Sequence, residues 1–176
     1  NLGNESNGHQ LRGHINGNGR FDLSDKTDWG FELRRTTDDT YMRRYGFGSD
    51  TMLTSRAYAE GFNFVGDSDR NYAQVQTIAF QGLTAQDDTE RIPLILPMVD
   101  FNYETDPLAH NARVSFDGNL LSLTRNTGAS SRRVATTTAW HLPYITPDGQ
   151  IVEVSAQLRS DIYSVDNVLL DRKSVV

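Results

Sequence analysis

Val152-Glu153-Val154-Ser155-Ala156-Gln157-Leu158-Arg159-Ser160-Asp161-Ile162 is the stretch whose reading decides the fold. Its even positions are Val152, Val154, Ala156, Leu158, Ser160 and Ile162, and only Ser160 among them is polar. Its odd positions, Glu153, Ser155, Gln157, Arg159 and Asp161, are all polar. A β-strand sends successive side chains to opposite faces, so this segment is a ribbon with one dry face and one wet face. An amphipathic helix would need apolar residues at i, i+3, i+4 and i+7 instead, and that spacing is rare along the chain.

The two-residue beat continues upstream. In 14–23, Ile15, Phe21 and Leu23 share a side with Gly17 and Gly19, opposite His14, Asn16, Asn18, Arg20 and Asp22. Trp29, Phe31 and Leu33 oppose Glu32 and Arg34, and Leu53, Ala57 and Ala59 oppose Thr54, Arg56 and Glu60. Ala73, Val75 and Ala79 face away from Gln74 and Gln76, with Ile78 and Phe80 breaking the pattern. Val99, Phe101 and Tyr103 alternate with Asp100 and Asn102. Pro93 and Pro97 precede them; proline cannot donate a ladder hydrogen bond, so a bulge or bend is expected near Pro97. Ala112, Val114 and Phe116 oppose Arg113, Ser115, Asp117 and Asn119, and Val134, Trp140, Leu142 and Tyr144 fall together. These stretches predict strands over roughly 12–24, 28–37, 51–62, 71–82, 92–104, 111–125, 132–145 and 150–164, and no helix.

Thr146-Pro147-Asp148-Gly149 reads as a tight turn, whereas Asp38–Asp50, Leu83–Arg91 and Asn126–Arg132 are longer and polar. The expected fold is therefore all-β: an antiparallel meander of about eight long strands in one curved, open sheet, with no internal domain boundary. Composition narrows its setting. The 176 residues carry 17 basic and 23 acidic side chains, net −6, a poor match to nucleic acid. No cysteine is present, which removes disulfides and thiolate metal sites. Hydrophobic residues make up 37% and mean hydropathy is −0.54, too low for a helical membrane span, which needs roughly 20 apolar residues. A transmembrane β-barrel escapes that limit because only alternate residues of each strand meet lipid. A soluble antiparallel sheet shows the same alternation. Strand length and mid-strand Arg, Asp and Glu favour the barrel, and Trp29, Tyr144 and Tyr163 lie near strand ends, where aromatic rings suit a bilayer interface.

Little else suggests chemistry. His9, His14, His110 and His141 lack metal-ligand spacing, Asp38-Asp39 and Asp87-Asp88 sit in turn-like loops, and no serine lies in a Gly-x-Ser-x-Gly elbow. Gly17-Asn18-Gly19 is too short for a phosphate-binding loop. Arg43-Arg44 and Arg132-Arg133 are short basic pairs, solvated charges or partners for lipid phosphates. No enzyme, cofactor or metal is expected. No basic and apolar leader follows Asn1, and a fragment of a longer chain is expected.

An ordered series of phrases resembles the LptD family of lipopolysaccharide-assembly proteins. They are DDTYMRRYGF (38–47), TSRAYAEGF (54–62), AFQGL (79–83), IPLILPMVDFNYE (92–104), GNLLSLTRNTG (118–128), AWHLPYITPDG (139–149) and LRSDIYSVD (158–166). The resemblance implies a Gram-negative outer-membrane barrel that moves lipopolysaccharide to the cell surface. It also implies a plug lipoprotein, LptE, in the lumen, and periplasmic bridge proteins reached through an N-terminal domain. That N-terminal domain and the cysteines of many members are missing here, so the chain is expected to be an interior stretch of barrel wall, residues 1–176 being one fragment of a single barrel domain.

On this reading the lumen-facing set, open to saccharide or plug, is His14, Asn16, Asn18, Arg20, Asp22, Glu32, Arg34, Arg56, Glu60, Gln74, Gln76, Asp100, Asn102, Arg113, Asp117, Asn119, Glu153, Gln157, Arg159 and Asp161. The set expected to meet outer-membrane lipids is Ile15, Phe21, Phe31, Leu33, Leu53, Ala57, Val114, Phe116, Trp140, Leu142, Val152, Val154, Leu158 and Ile162. Two alternatives remain at this point. A complete eight-stranded barrel requires the first and last strands to pair; a soluble β-sandwich for binding or adhesion requires a second layer over Val114, Phe116, Val154 and Leu158.

Overall fold

The computed structural model describes residues 12–63, 70–84 and 86–167. Eight antiparallel strands form one sheet in chain order: β1 (His14–Ser24), β2 (Thr27–Thr36), β3 (Met52–Phe62), β4 (Asn71–Gly82), β5 (Leu94–Glu104), β6 (Arg113–Thr124), β7 (Ser130–Ile145) and β8 (Ile151–Asp166). Each strand pairs with its sequence neighbour, and β1 and β8 form the two edges. The sheet is open, so the eight strands do not close on themselves, and no second layer covers either face among the described residues.

The two ladders of β5 interrupt where the sequence loses a backbone donor. The β4–β5 pairing shifts between Gln76 and Ile78, and the β5–β6 pairing shifts between Ile95 and Met98. Both shifts flank Pro97, whose missing N–H favours a bulge over a continuous ladder. A second irregularity was not expected. β2 and β3 pair backbone to backbone only from Thr27↔Gly61 to Glu32↔Arg56. Beyond that point side chains take over. Ser55 Oγ accepts from Arg34 N at 3.1 Å and donates to Arg34 O at 3.0 Å. The Gln81 amide then reaches across from β4, its Oε1 accepting from Thr36 N at 3.0 Å and its Nε2 donating to Thr36 O at 2.7 Å.

One end of the sheet, the turn end, carries connections 25–26, 63–70, 105–112 and 146–150; the other, the loop end, carries 37–51, 83–93 and 125–129. The 37–51 connection contains a one-turn helix, α1 (Tyr41–Arg44), where no helix was expected. Asp38 nucleates it: its Oδ1 accepts from Thr40 N at 2.8 Å and from the Thr40 hydroxyl at 2.9 Å, a local bond that a periodicity search does not register. Those bonds, with the Arg12 and Arg44 guanidinium groups, hold the Asp38 carboxyl below its usual range. The helix folds back on the sheet, where the rings of Tyr41 and Phe47 meet His14 at 5.7 and 4.7 Å.

Interior is scarce. The buried apolar side chains among the described residues are Leu53, Leu83 and Ala112, far short of a core. Leu53 corrects an expectation. It lines a small cavity with Met42 and Phe47 of the 37–51 connection and is 2% exposed, so this chain covers it and it meets neither water nor lipid.

Candidate functional site

Directly paired residues of an antiparallel ladder share a face, so the register assigns every strand residue to a side. Asn16↔Arg34, Asn18↔Glu32, Glu32↔Arg56 and Glu60↔Gln74 lie on one face of β1 to β4. Gln74↔Asp100, Asp100↔Asn119, Asn119↔Ala135 and Ala135↔Asp161 continue that face to β8. Alternation along each strand then brings together all the residues expected to be wet, from His14 on β1 to Asp161 on β8. The other face collects the expected apolar set, as in Phe21↔Trp29, Phe31↔Ala57, Val114↔Trp140 and Leu158↔Thr138.

The polar face is a continuous network of opposite charges and matched amides. Arg20 is bonded to Asp28 and lies 3.3 Å from Glu60, and Glu60 also accepts from Tyr72 Oη and Gln74 Nε2, each at 3.2 Å. At the centre two cross-strand amide–carboxylate pairs face each other: Asn119 Nδ2 to Asp100 at 2.6 Å and Asn102 Nδ2 to Asp117 at 2.5 Å. Asp161 accepts from Arg133 at 2.8 Å and Arg159 at 2.9 Å. Towards the turn end Glu104 accepts from Arg70 at 2.6 Å and Arg113 at 3.0 Å, and His141 Nδ1 lies 3.0 Å from Glu153.

Two open concavities lie on this face. One, about 530 Å³, is lined by Glu104, Arg113, Ser115, His141 and Glu153 among others; the second, about 400 Å³, by Tyr72, Asp100, Asp117, Asn119 and Arg159 among others. Each offers donors and acceptors close together: in the first Glu104 pairs with Arg113 and Glu153 with His141, and in the second Asp117 and Asp100 accept from the amides of Asn102 and Asn119. Such a surface suits neutral polyhydroxy groups or water better than a single ion. No three His, Asp or Glu among the described residues come together as a metal cluster, and His9 lies outside them.

Several members of this face were not in the set expected there. Tyr58 pairs with Gly30, Tyr72 with Asn102, and Arg133 and His141 lie opposite Leu121 and Arg113. Parity along the strands identifies them, but amphipathicity alone does not single them out. Ile78 and Phe80, which break the expected pattern, also lie on this face, paired with Arg56 and Thr54. Ile95, Met98, Leu121 and Leu123 join them by register, so the wet face turns apolar towards the loop end of β4 to β6.

The opposite face is apolar and bare. Val154, Leu158 and Ile162 on β8 are all exposed, Leu158 at 74%. Phe21 stacks on Trp29 at 4.7 Å, and the rings of Phe101 and Phe116 meet at 6.0 Å, yet no other element of the described chain packs over them.

With the two faces defined, comparison with known proteins adds one finding: residues 10–175 match the family described as LptD: LPS transport system D. No curated protein matched the chain.

Proposed function

The chain belongs to the LPS transport system D family, whose work is lipopolysaccharide transport at the outer membrane, and we propose from that premise that its sheet is a stretch of transmembrane barrel wall. The observation that carries the reading is the bare apolar face. Leaving a Leu, Phe or Ile side chain in water forgoes roughly 1.5–3 kcal/mol relative to burial, and here the exposed set includes Phe21, Trp29, Val154, Leu158 and Ile162. Acyl chains supply the missing apolar medium. Length supports the same reading. The shortest strand, β2, has 10 residues, about 33 Å at 3.3 Å each, which at a 45° tilt covers roughly 23 Å, close to the apolar band of about 25 Å of an outer-membrane barrel.

On this reading residues 1–176 are one part of a single barrel domain whose wall continues beyond the edges of β1 and β8. The polar face, from Asn16 and Arg34 through Asp100 and Asn119 to Arg159, lines the lumen. There its paired charges keep the wall wet without holding an ion, and its free lone pairs and N–H groups serve saccharide hydroxyls. A plug lipoprotein docks on the same face, and the periplasmic bridge connects through an N-terminal domain. The work is transport; no bond is made or broken.

The test belongs in the full-length protein. Leu158→Arg should cost roughly 2–4 kcal/mol if this side chain lies near the bilayer midplane, and the yield of folded, heat-modifiable protein in outer membranes should fall sharply. Gln157→Arg, one residue away on the polar face, should assemble at the parental level. Equal assembly of Leu158→Arg and Gln157→Arg would refute the assignment of faces.

A further inference from the structure

Charge on the apolar face is confined to one end. The register gives that face three charged side chains among the described strand residues, Arg35, Arg132 and Asp166, and all of them lie at or next to the loop end. The turn half of the same face carries rings instead, among them Trp29, Tyr103, Trp140 and Tyr144. Along β7 the rise from Arg132 to Tyr144 is about 40 Å at 3.3 Å per residue, roughly 28 Å across a bilayer at a 45° tilt. Arg132 and Tyr144 are therefore about one hydrocarbon thickness apart, which sets Arg132 at the level of lipid headgroups, and Arg35 stands one residue from the loop end of β2.

The two arginines differ in their partners. Arg132 lies 3.8 Å from Asp166. Arg35 is exposed and has no carboxylate within 4.0 Å among the described residues, whereas its neighbour Arg34, on the polar face, bonds Asp50 at 2.5 Å. Arg35 also borders an open groove of about 370 Å³. Its apolar lining is Ala79, Phe80, Ile92, Pro93 and Leu94, and Thr124 and Asn126 bring hydroxyl and amide groups to its rim. Ala79 faces another small residue, Ser55, across the β3–β4 ladder on this face.

We propose that this groove seats a membrane glycerophospholipid, its phosphate on the Arg35 guanidinium and an acyl chain over Ala79 and Leu94. A guanidinium is shaped for phosphate oxygens, and here it is the one cation of the apolar face that no carboxylate of the described chain neutralises. The proposal rests on the lipid-facing reading of that face and adds a headgroup preference to it.

The experiment uses the full-length protein extracted in detergent. It is mixed with equal amounts of phosphatidylglycerol and a galactosyl diacylglycerol of the same acyl chains, which carries no phosphate, and bound lipid is counted by native mass spectrometry. The parental protein should retain phosphatidylglycerol about fivefold over the galactolipid. Arg35→Gln should abolish that preference, Arg35→Lys should keep most of it, and Arg43→Gln in the 37–51 connection should leave it unchanged. No preference in the parental protein, or a preference that survives Arg35→Gln, overturns the proposal. Brominated acyl chains separate the two readings, in a variant whose only tryptophans are Trp29 and Trp140. Quenching in both the parental and Arg35→Gln backgrounds upholds the lipid-facing surface whatever the headgroup result. Its absence sinks that surface and the lipid seat together.

Discussion

Gly30 sits where a methyl group would land 2.6 Å from Tyr58 Oη and 2.8 Å from the Gly19 carbonyl oxygen. The Tyr58 ring lies against this glycine on the polar face, with the Arg56 guanidinium 4.5 Å from the ring centroid. A backbone oxygen cannot step aside, so Gly30→Ala should destabilise the folded barrel by about 1–3 kcal/mol through overpacking. Gly17, on β1, has open space where a methyl group would stand, with nothing within 4 Å, so Gly17→Ala should stay within about 0.5 kcal/mol. Urea midpoints of the two variants in lipid bilayers measure the difference. At this scale the sequence is legible by parity and illegible by contact. Arg34 and Arg35 must point to opposite sides of any strand, but that Arg34 finds Asp50 and Arg35 finds no carboxylate among the described residues depends on where the 37–51 connection folds. Leu53 shows the same limit: its parity matches Ala57, and only the cavity it shares with Met42 and Phe47 reveals that the chain covers it.

Strands are the elements that alternation and turn chemistry identify, and the observed boundaries fall within a few residues of those expected. The bulge near Pro97 was also legible, because a missing N–H is a property of the residue itself. The parting of β2 from β3 was not. Its stitching depends on Gln81, 45 positions from Thr36, and nothing local marks that glutamine as different from Gln74 or Gln76. Thr36 is 7% exposed, so Gln81→Ala strands its N–H and C=O without partners, at a cost of about 1–3 kcal/mol. Hydrogen exchange should show the Thr36 amide losing protection while amides of β7 keep theirs. Unchanged exchange at Thr36 would mean that the Gln81 bonds do not hold this end of β2.

As a whole molecule the described chain is a sheet with two long edges and hardly any core. The outer edge of β8 carries unpaired backbone groups along 16 residues, and one of its faces is apolar. Edges of that kind pair with further strands. The isolated 176-residue chain should therefore sediment as large aggregates in detergent-free buffer, and a monodisperse monomer there would contradict both the open edge and the lipid-facing surface. The two soluble or self-contained alternatives meet their own tests at this scale: β1 and β8 do not pair, and Val114, Phe116, Val154 and Leu158 lie under no second layer of the described chain.

By itself the sequence determined that this protein is a meander of long strands with one dry and one wet side, because side-chain parity in a strand is covalent geometry and needs no partner. Tertiary structure decided that the sheet stays open, that β2 parts from β3, that apolar residues intrude on the polar face near the loop end, and that Arg35 stands without a carboxylate among the described residues. Each of these depends on which distant strands and loops meet, and distance along a chain says nothing about distance in space.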